Sequence, residues 1–145
     1  MLFPKSEIII PVFCRLFSSK AFDDAQKTQQ LTVNSILIVD DETEVCMLLE
    51  NFLIRKNQKV EYSTTLKDGI EKFEKMRPNI LILDHNMPDG YGIESISAFK
   101  KLNNSLRVVI ISAMSNFKEE ALQKGADYFL EKPISFSMLK NIINH

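Results

Sequence analysis

The sequence is poor in the residues that build several common kinds of functional site. Its two cysteines, Cys14 and Cys46, are far apart and fall in no metal-binding spacing. We therefore expect neither a zinc site nor a disulfide framework, and a reducing cytoplasmic location. The four glycines form no G-x-G-x-x-G motif, which excludes a dinucleotide-binding loop of that kind. No apolar run approaches the roughly 20 residues needed to cross a bilayer.

An excess of charge is also missing. The chain has 18 basic and 19 acidic residues, for a formal net charge of −1. A near-neutral chain without a polybasic arm lacks the electrostatic footprint of direct nucleic-acid binding. Its 145 residues suffice for one domain with a proper core and some additional chain.

From Ser35 onward, short apolar runs alternate with amphipathic segments. The runs are rich in Ile and Val, which predicts strands buried on both faces. They cover residues 36–39, 60–63 (the weakest), 80–83, 108–111 and 128–130. The segments between them show helical spacing, and the apolar face of the first, which we expect to be core, comprises Val45, Leu48, Leu49, Phe52 and Leu53. Five such alternations predict an α/β fold with a doubly wound, parallel five-stranded sheet.

Polar residues lie just past four of the five predicted strands. Asp40 and Asp41 follow the first, Asp84 the third, Ser112 the fourth and Lys132 the fifth. In open α/β sheets, ligands bind outside the carboxyl ends of the strands. We therefore expect these side chains to converge on one rim of the sheet.

This combination of residues suits the chemistry of phosphoryl groups. Mg²⁺ prefers hard oxygen ligands, and a carboxylate beside it can attack phosphorus and form an aspartyl phosphate. Asp84, alone after the central strand, is the best nucleophile, and Asp40 and Asp41 are better placed as metal ligands. Lys132 can supply a positive charge for the phosphoryl oxygens. Two simpler alternatives stay open at this point. One is that the paired aspartates cap the first helix, and the other is that the lysine is an ordinary surface residue.

Four sequence blocks lie in this order at the ends of predicted strands: "VDDE", "LDHNMPDGYG", "ISA" and "GADYFLEKP". With them, residues 35–145 resemble a response regulator receiver domain of two-component signalling, of the kind found in chemotaxis regulators. The resemblance implies a (βα)5 flavodoxin-like fold with strand order 2-1-3-4-5. Residues 1–34 would then form an N-terminal extension.

The resemblance also implies roles for individual residues. Asp84 would accept a phosphoryl group from a sensor histidine kinase or a histidine phosphotransfer protein. Asp40, Asp41 and Asp84 would bind Mg²⁺ together with the backbone carbonyl of Asn86. Lys132 would contact the phosphoryl group, and the peptide bond between Lys132 and Pro133 would be cis.

Two further positions match the switch residues of such domains. Ser112 matches the hydroxyl that moves to the phosphate, and Phe129 matches an aromatic ring that swings inward, although it lacks the hydroxyl of the commoner tyrosine. Met114 occupies a position that tunes dephosphorylation and cannot orient a water. The resemblance implies a signalling protein that catalyses its own phosphorylation and dephosphorylation rather than an enzyme with an external substrate.

Other classes of protein fit the sequence less well. A haloacid-dehalogenase-type phosphatase has a second aspartate two residues after the nucleophile, where this chain has Asn86. A flavodoxin needs a hydroxyl- and glycine-rich loop after its first strand, and "DDETEV" would repel a phosphate. A degenerate receiver, acting as a phosphorylation-independent interaction module, remains the alternative. His85 is expected to be a loop side chain, "MPDG" a plain turn and Gly125 a helix C-cap.

The extension and the output are the least constrained features. Ile9, Val12, Phe13, Leu16 and Phe17 fall at helical spacing, so residues 1–34 are either an amphipathic docking helix with a polar linker or a weakly packed tail. Glu7, Pro11 and Arg15 argue against a secretory signal. Because the sequence stops with the fifth predicted helix, we expect a single-domain regulator that signals to a downstream protein partner through its own surface.

Overall fold

The structure is a computed structural model that describes residues 32–145. The hypothesis of an amphipathic docking helix falls on residues 9–17, outside this range. Within the described residues, no helix is long and apolar enough to cross a bilayer.

Strands and helices alternate as the sequence predicts. The strands of the main sheet are β1 (Ser35–Val39), β2 (Lys59–Ser63), β3 (Ile80–Asp84), β4 (Arg107–Ser112) and β5 (Tyr128–Glu131). The helices of the described range are α1 (Thr43–Ile54), α2 (Leu66–Met76), α3 (Gly92–Leu102), α4 (Lys118–Gln123) and α5 (Phe136–Asn144). Each strand lies within one residue of its predicted bounds. A short 3-10 turn, Ser115–Phe117, precedes α4.

All neighbouring strands of the main sheet are parallel, and their order is β2-β1-β3-β4-β5. The predicted fold class and strand order are therefore confirmed. β3 lies at the centre and is buried at every position. β2 lies at an edge and alternates exposed with half-buried residues, which explains why its apolar signature is the weakest of the five.

Successive side chains of β1 point to opposite faces of the sheet and enter two separate cores. Leu37 and Val39 pack into the core that lies under α2 and α3. Ile36 and Ile38 pack into the core that lies under α1 and α5. The sheet is therefore covered on both faces, as a doubly wound fold requires.

The expectation that the apolar face of α1 is entirely core is wrong at Leu48, which is 57% exposed. Cys46, Leu49 and Leu53 are the buried residues of this helix. The apolar stripe is wider than the strip of helix surface that contacts the sheet, so Leu48 borders an open groove with Phe136 of α5.

The "MPDG" segment does more than turn the chain. It joins Asn86–Met87 and Gly90–Tyr91 into a two-stranded antiparallel hairpin. The carboxylate of Asp89 accepts hydrogen bonds from the backbone N–H groups of Leu66 and Lys67, both at 2.9 Å. The hairpin that follows β3 thus also satisfies unpaired N–H groups at the start of α2.

The predicted C-cap at the end of α4 is confirmed. Gly125 has a φ of 104°, a conformation that favours glycine. Its N–H donates to Leu122 O at 3.1 Å, and the N–H of Ala126 donates to Ala121 O at 2.9 Å. These two bonds form a Schellman motif that ends the helix.

The start of α3 lies directly against the last residue of β3. Gly92 N donates to His85 O at 2.7 Å. A Cβ atom added to Gly92 would lie 2.0 Å from the carbonyl oxygen of Asp84, a backbone atom that cannot move aside cheaply. The absence of a side chain at Gly92 therefore sets the distance between the helix and the end of β3.

We expect Gly92→Ala to lower the free energy of unfolding by about 1–3 kcal/mol, because the new methyl group forces the helix away from β3. Urea denaturation followed by circular dichroism measures the change. Ser97→Ala, on the exposed face of the same helix, is the control and should change stability by less than about 0.5 kcal/mol. Equal effects of the two substitutions would contradict the close contact.

Candidate functional site

The carboxyl ends of β1 and β3 bring three aspartates together. One carboxylate oxygen each from Asp40, Asp41 and Asp84 lies within 4.8 Å of the others. Asp40 is 0% exposed and Asp84 is 4% exposed, whereas Asp41 is exposed. The structure therefore places the three predicted carboxylates at one rim of the sheet.

Strand register explains why Asp40 and Asp84 meet. Val39 pairs with Leu83 across β1 and β3, so the next residue of each strand emerges at the same level. Asp40 is held there by its N–H, which donates to Ser63 O at 3.1 Å. Its position follows from parallel pairing rather than from a local turn.

The helix-capping alternative for the paired aspartates does not hold. The N-cap of α1 is Glu42, and its side chain makes no capping hydrogen bond. Asp40 Oδ1 instead accepts the N–H of Glu42 at 2.9 Å. A capping side chain would accept an N–H from the first turn of the helix, two or three residues further along the chain. Asp40 thus shapes the loop before α1 and keeps Oδ2 for the site.

Lys132 enters the same cluster from the end of β5. Its Nζ lies 3.1 Å from Asp40 Oδ2 and 3.5 Å from Asp84 Oδ1. The backbone N–H of Lys132 donates to Ser112 O at 2.9 Å, and the following peptide bond to Pro133 is cis, as the resemblance implies. Lys132 is therefore part of the site and not an ordinary surface lysine.

Sequence reasoning missed the role of Glu42. Its Oε1 accepts a hydrogen bond from Lys132 Nζ at 2.9 Å, the shortest contact that this ammonium makes. Glu42 is the last residue of the "VDDE" block, and that position beside the paired aspartates was the available signal. In this structure Glu42 draws Lys132 partly toward the solvent-exposed edge of the site.

Burial of the carboxylates dominates the electrostatics of the site. Desolvation, together with the negative charge of Asp40, raises the pKa of Asp84 to about 6 despite the attraction of Lys132. Desolvation likewise raises the pKa of Asp40, against the opposing effects of the Glu42 N–H and Lys132. One lysine does not compensate for the negative charge that the fold concentrates here.

Lys132 itself stays charged. Its burial opposes the charged form, but the hydrogen bond to Glu42 and the charges of Asp40 and Asp84 outweigh burial and raise the pKa. The ammonium is thus a permanent positive charge at the rim. It is available to any anion that can replace a carboxylate as its partner.

The donor set fits a hard divalent cation. Asp40 Oδ2 is buried and has no hydrogen-bond partner within the described residues, and its contact with Lys132 is an ion pair without hydrogen-bond geometry. The negative charge of the three carboxylates is not fully compensated, and one of them is open to solvent. Mg²⁺ binds to such carboxylates while it keeps several of its waters. The prediction that the backbone carbonyl of Asn86 is a further ligand stays a prediction; Asn86 lies in the hairpin after β3.

The two expected switch residues lie on β4 and β5. Ser112 is 1% exposed, and its Oγ accepts the N–H of Met114 at 3.1 Å. Phe129 is half-buried and packs against the core under α2 and α3. Met114 is exposed. The structure thus has the serine hydroxyl engaged with its own loop.

His85 is a loop side chain, as expected, but a well-packed one. Its ring lies 5.3 Å from Tyr91 in a stacked arrangement and 4.2 Å from Phe117 in a tilted one. Burial lowers the pKa of this imidazole, and its Nδ1 has no hydrogen-bond partner in the part of the chain that the structure describes. Sequence patterns gave no signal for this stack, because the ring of Phe117 comes from a different loop than the rings of His85 and Tyr91.

The raised pKa of Asp84 makes a prediction about stability. The folded protein binds a proton on Asp84 more tightly than the unfolded chain does, so stability contributed by this group is lost as pH rises from about 4 to about 6. In metal-free buffer, Asp84→Asn should therefore raise the free energy of unfolding at pH 7 by about 1–3 kcal/mol.

Urea denaturation of the protein and of Asp84→Asn between pH 4 and pH 7.5, in the presence of a chelator, measures this difference. The difference in free energy of unfolding between the two proteins should increase with rising pH and become constant above about pH 6. The exposed Glu71→Gln is the control and should show no such difference. A variant that is less stable than the parent at pH 7 would contradict the charge balance described here.

Comparisons with known proteins identify the family of this chain. Residues 36–144 match the family model described as the response regulator receiver domain. A chemotaxis protein CheY from Thermotoga maritima is 29% identical over 112 residues, covering 75% of this chain and 93% of that protein. The KDP operon transcriptional regulatory protein KdpE from Escherichia coli is 32% identical over 110 residues, covering 74% of this chain but only 48% of that protein.

Solved structures show the same fold. The beryllofluoride-activated NtrC4 receiver domain dimer superposes with a TM-score of 0.72 at 29% identity, covering 77% of this chain and 93% of that one. A CheY-like receiver domain protein from Methanospirillum hungatei superposes with a TM-score of 0.70 at 27% identity, covering 77% and 91%. Together with the convergence of the acidic residues and the lysine, these matches show that the chain belongs to the response regulator receiver domain family.

Proposed function

We propose that this protein accepts a phosphoryl group on Asp84, in a Mg²⁺-dependent reaction, from a sensor histidine kinase or a histidine phosphotransfer protein. The phosphorylated form then signals by changing an interaction surface. The observation that carries the proposal is the convergence at one rim of three carboxylates within 4.8 Å of one another, with Lys132 Nζ 3.5 Å from Asp84 Oδ1.

Asp40, Asp41 and Asp84, with the backbone carbonyl of Asn86, are the residues that would hold Mg²⁺. When bound, the ion supplies positive charge that neutralises the carboxylates and the oxygens of the incoming phosphoryl group. The surroundings of Asp40 support this assignment. Its buried Oδ2 accepts no hydrogen bond from the described residues, and the ammonium that faces it, that of Lys132, is shared with Glu42 and Asp84, so much of the buried charge remains uncompensated.

Asp84 is the nucleophile. With a pKa of about 6, it is mostly ionised at pH 7.5, and one of its oxygens attacks phosphorus as the bond from phosphorus to the donor histidine breaks. The imidazole leaves with the bonding electron pair and takes up a proton. Lys132 stabilises charge on the phosphoryl oxygens. Its ammonium leaves the carboxylate of Glu42 and pairs with the phosphoryl group instead.

The phosphate would then draw the hydroxyl of Ser112 away from the N–H of Met114. Phe129 is half-buried beside this strand, so a change at Ser112 can be followed by a change in the position of the ring. The loop after Ser112 and the ring of Phe129 would thus each have two positions. The phosphoryl group favours one of them, because its contact with Ser112 forms in that state only. This self-catalysed chemistry makes the protein a phosphoacceptor rather than an enzyme with an external substrate.

The partners follow from the same chemistry. The donor is a phosphohistidine protein, and the near-neutral charge of the chain supports a downstream protein partner rather than direct binding to nucleic acid. We place both interactions in the cytoplasm. A phosphorylation-independent interaction module would not need the buried pair Asp40 and Asp84, whose charge costs folding energy.

We expect one phosphoryl adduct per chain, seen by intact mass, when the protein is mixed with acetyl phosphate and Mg²⁺. The adduct should be absent with a chelator and absent in Asp84→Asn, because both remove a component of the acceptor site. Asp68→Asn is the matched control and should be modified normally, because Asp68 pairs with Lys72 and is not one of the three clustered carboxylates. An adduct that persists in Asp84→Asn would assign the acceptor to another residue.

Lys132→Met should slow adduct formation by about tenfold or more, because it removes the only positive side chain in contact with Asp84 within the described residues. The initial rate at saturating Mg²⁺ measures the effect. Lys100→Met is the control, since Lys100 pairs with Asp127 and should leave the rate unchanged. A normal rate in Lys132→Met would remove this lysine from the mechanism.

A further inference from the structure

A cavity lies between the connection that follows β3 and the loop that follows β4. Its volume is about 320 Å³. Among the residues that line it are His85, Tyr91, Met114, Phe117, Glu94 and Glu120. His85 directly follows Asp84 in the chain, so the wall of this cavity begins one residue after the proposed acceptor.

The aromatic wall of the cavity is built as a stack. The ring of His85 contacts Tyr91 at 5.3 Å and Phe117 at 4.2 Å between centroids. Tyr91 is 57% exposed, which leaves ring surface open to a ligand. His85 is only 5% exposed, so it forms the fixed back of this stack while Tyr91 forms its open side.

The charge in the cavity is negative. Glu94 lies in the first turn of α3 and has no ion-pair partner within residues 32–145. Glu120 is exposed and pairs with Lys124 at 3.2 Å along the same helix, an interaction of the exposed kind that contributes little. An anion is therefore disfavoured here, and an apolar side chain would desolvate Glu94 without compensation.

We propose that this cavity binds the guanidinium group of an arginine side chain on a partner protein. A guanidinium is flat and stacks on an aromatic ring, and its fork of donors pairs with a carboxylate. It carries donors only, which suits the carboxylate of Glu94. A lysine ammonium would satisfy the carboxylate but would not stack on Tyr91.

Such a contact would give a partner direct access to the acceptor loop. The arginine would lie against His85, which precedes the hairpin after Asp84, and against Tyr91, the last residue of that hairpin. Binding at the cavity is independent of phosphoryl transfer, so the proposal goes beyond the phosphoacceptor function and can fail without it.

The test is a titration of the isotope-labelled full chain with N-acetyl-arginine amide, followed by amide chemical shifts in NMR spectra. We expect saturable shifts at His85, Tyr91, Glu94 and Phe117 with a dissociation constant of about 1–10 mM, the range open to a single side chain. Glu94→Gln and Tyr91→Ala should each weaken binding roughly threefold to tenfold. The matched control Glu71→Gln, on exposed α2, should bind normally.

Three results would overturn the proposal. Shifts that do not saturate would show that no site exists. Equal binding of N-acetyl-citrulline amide, which has the same shape without the charge, would remove the role of Glu94. Equal binding of tetramethylammonium would mean that the cavity does not select a guanidinium. Adduct formation on Asp84 from acetyl phosphate, measured on Glu94→Gln, reports the phosphoacceptor function separately and should be unchanged.

Discussion

The burial of two carboxylates that face one lysine is the constraint on which the rest of this structure depends. Asp40 and Asp84 are almost fully buried, and desolvation raises the pKa of each. Lys132 reaches both but also pairs with Glu42. A fold that is marginally stable carries this unfavourable charge at the end of its central strand, where ligands bind in open α/β sheets. A cation that binds beside these carboxylates would offset the free energy that their burial costs.

The elements around the cluster are arranged so that this charge stays in place. Gly92 lets α3 start in contact with the backbone of Asp84, and Asp89 ties the hairpin after β3 to the start of α2. Ser112 and Lys132 are joined through their backbones at the ends of β4 and β5. The loops of the rim are thus linked to one another by short, specific contacts.

Much of the fold and of the site could be predicted from the sequence, because both depend on patterns that are local along the chain. The apolar runs define the strands to within one residue, and the polar residues just past four of these runs identify Asp40, Asp84, Ser112 and Lys132 as neighbours at one rim. The exposure of Leu48 could not be predicted, since helical spacing does not give the width of the contact with the sheet. The pairing of Glu42 with Lys132 and the stack around His85 join residues from separate loops, and no periodicity encodes such contacts.

The dependence of stability on Mg²⁺ tests the central claim most directly, because an uncompensated buried charge should be relieved by a cation that binds only the folded state. The midpoint of thermal unfolding should rise with Mg²⁺ concentration for the parent protein, following the logarithmic dependence of a single site. It should not rise for Asp40→Asn, in which the fully buried carboxylate is neutral. A midpoint that is independent of Mg²⁺ in the parent protein, or an equal rise in both proteins, would contradict the account.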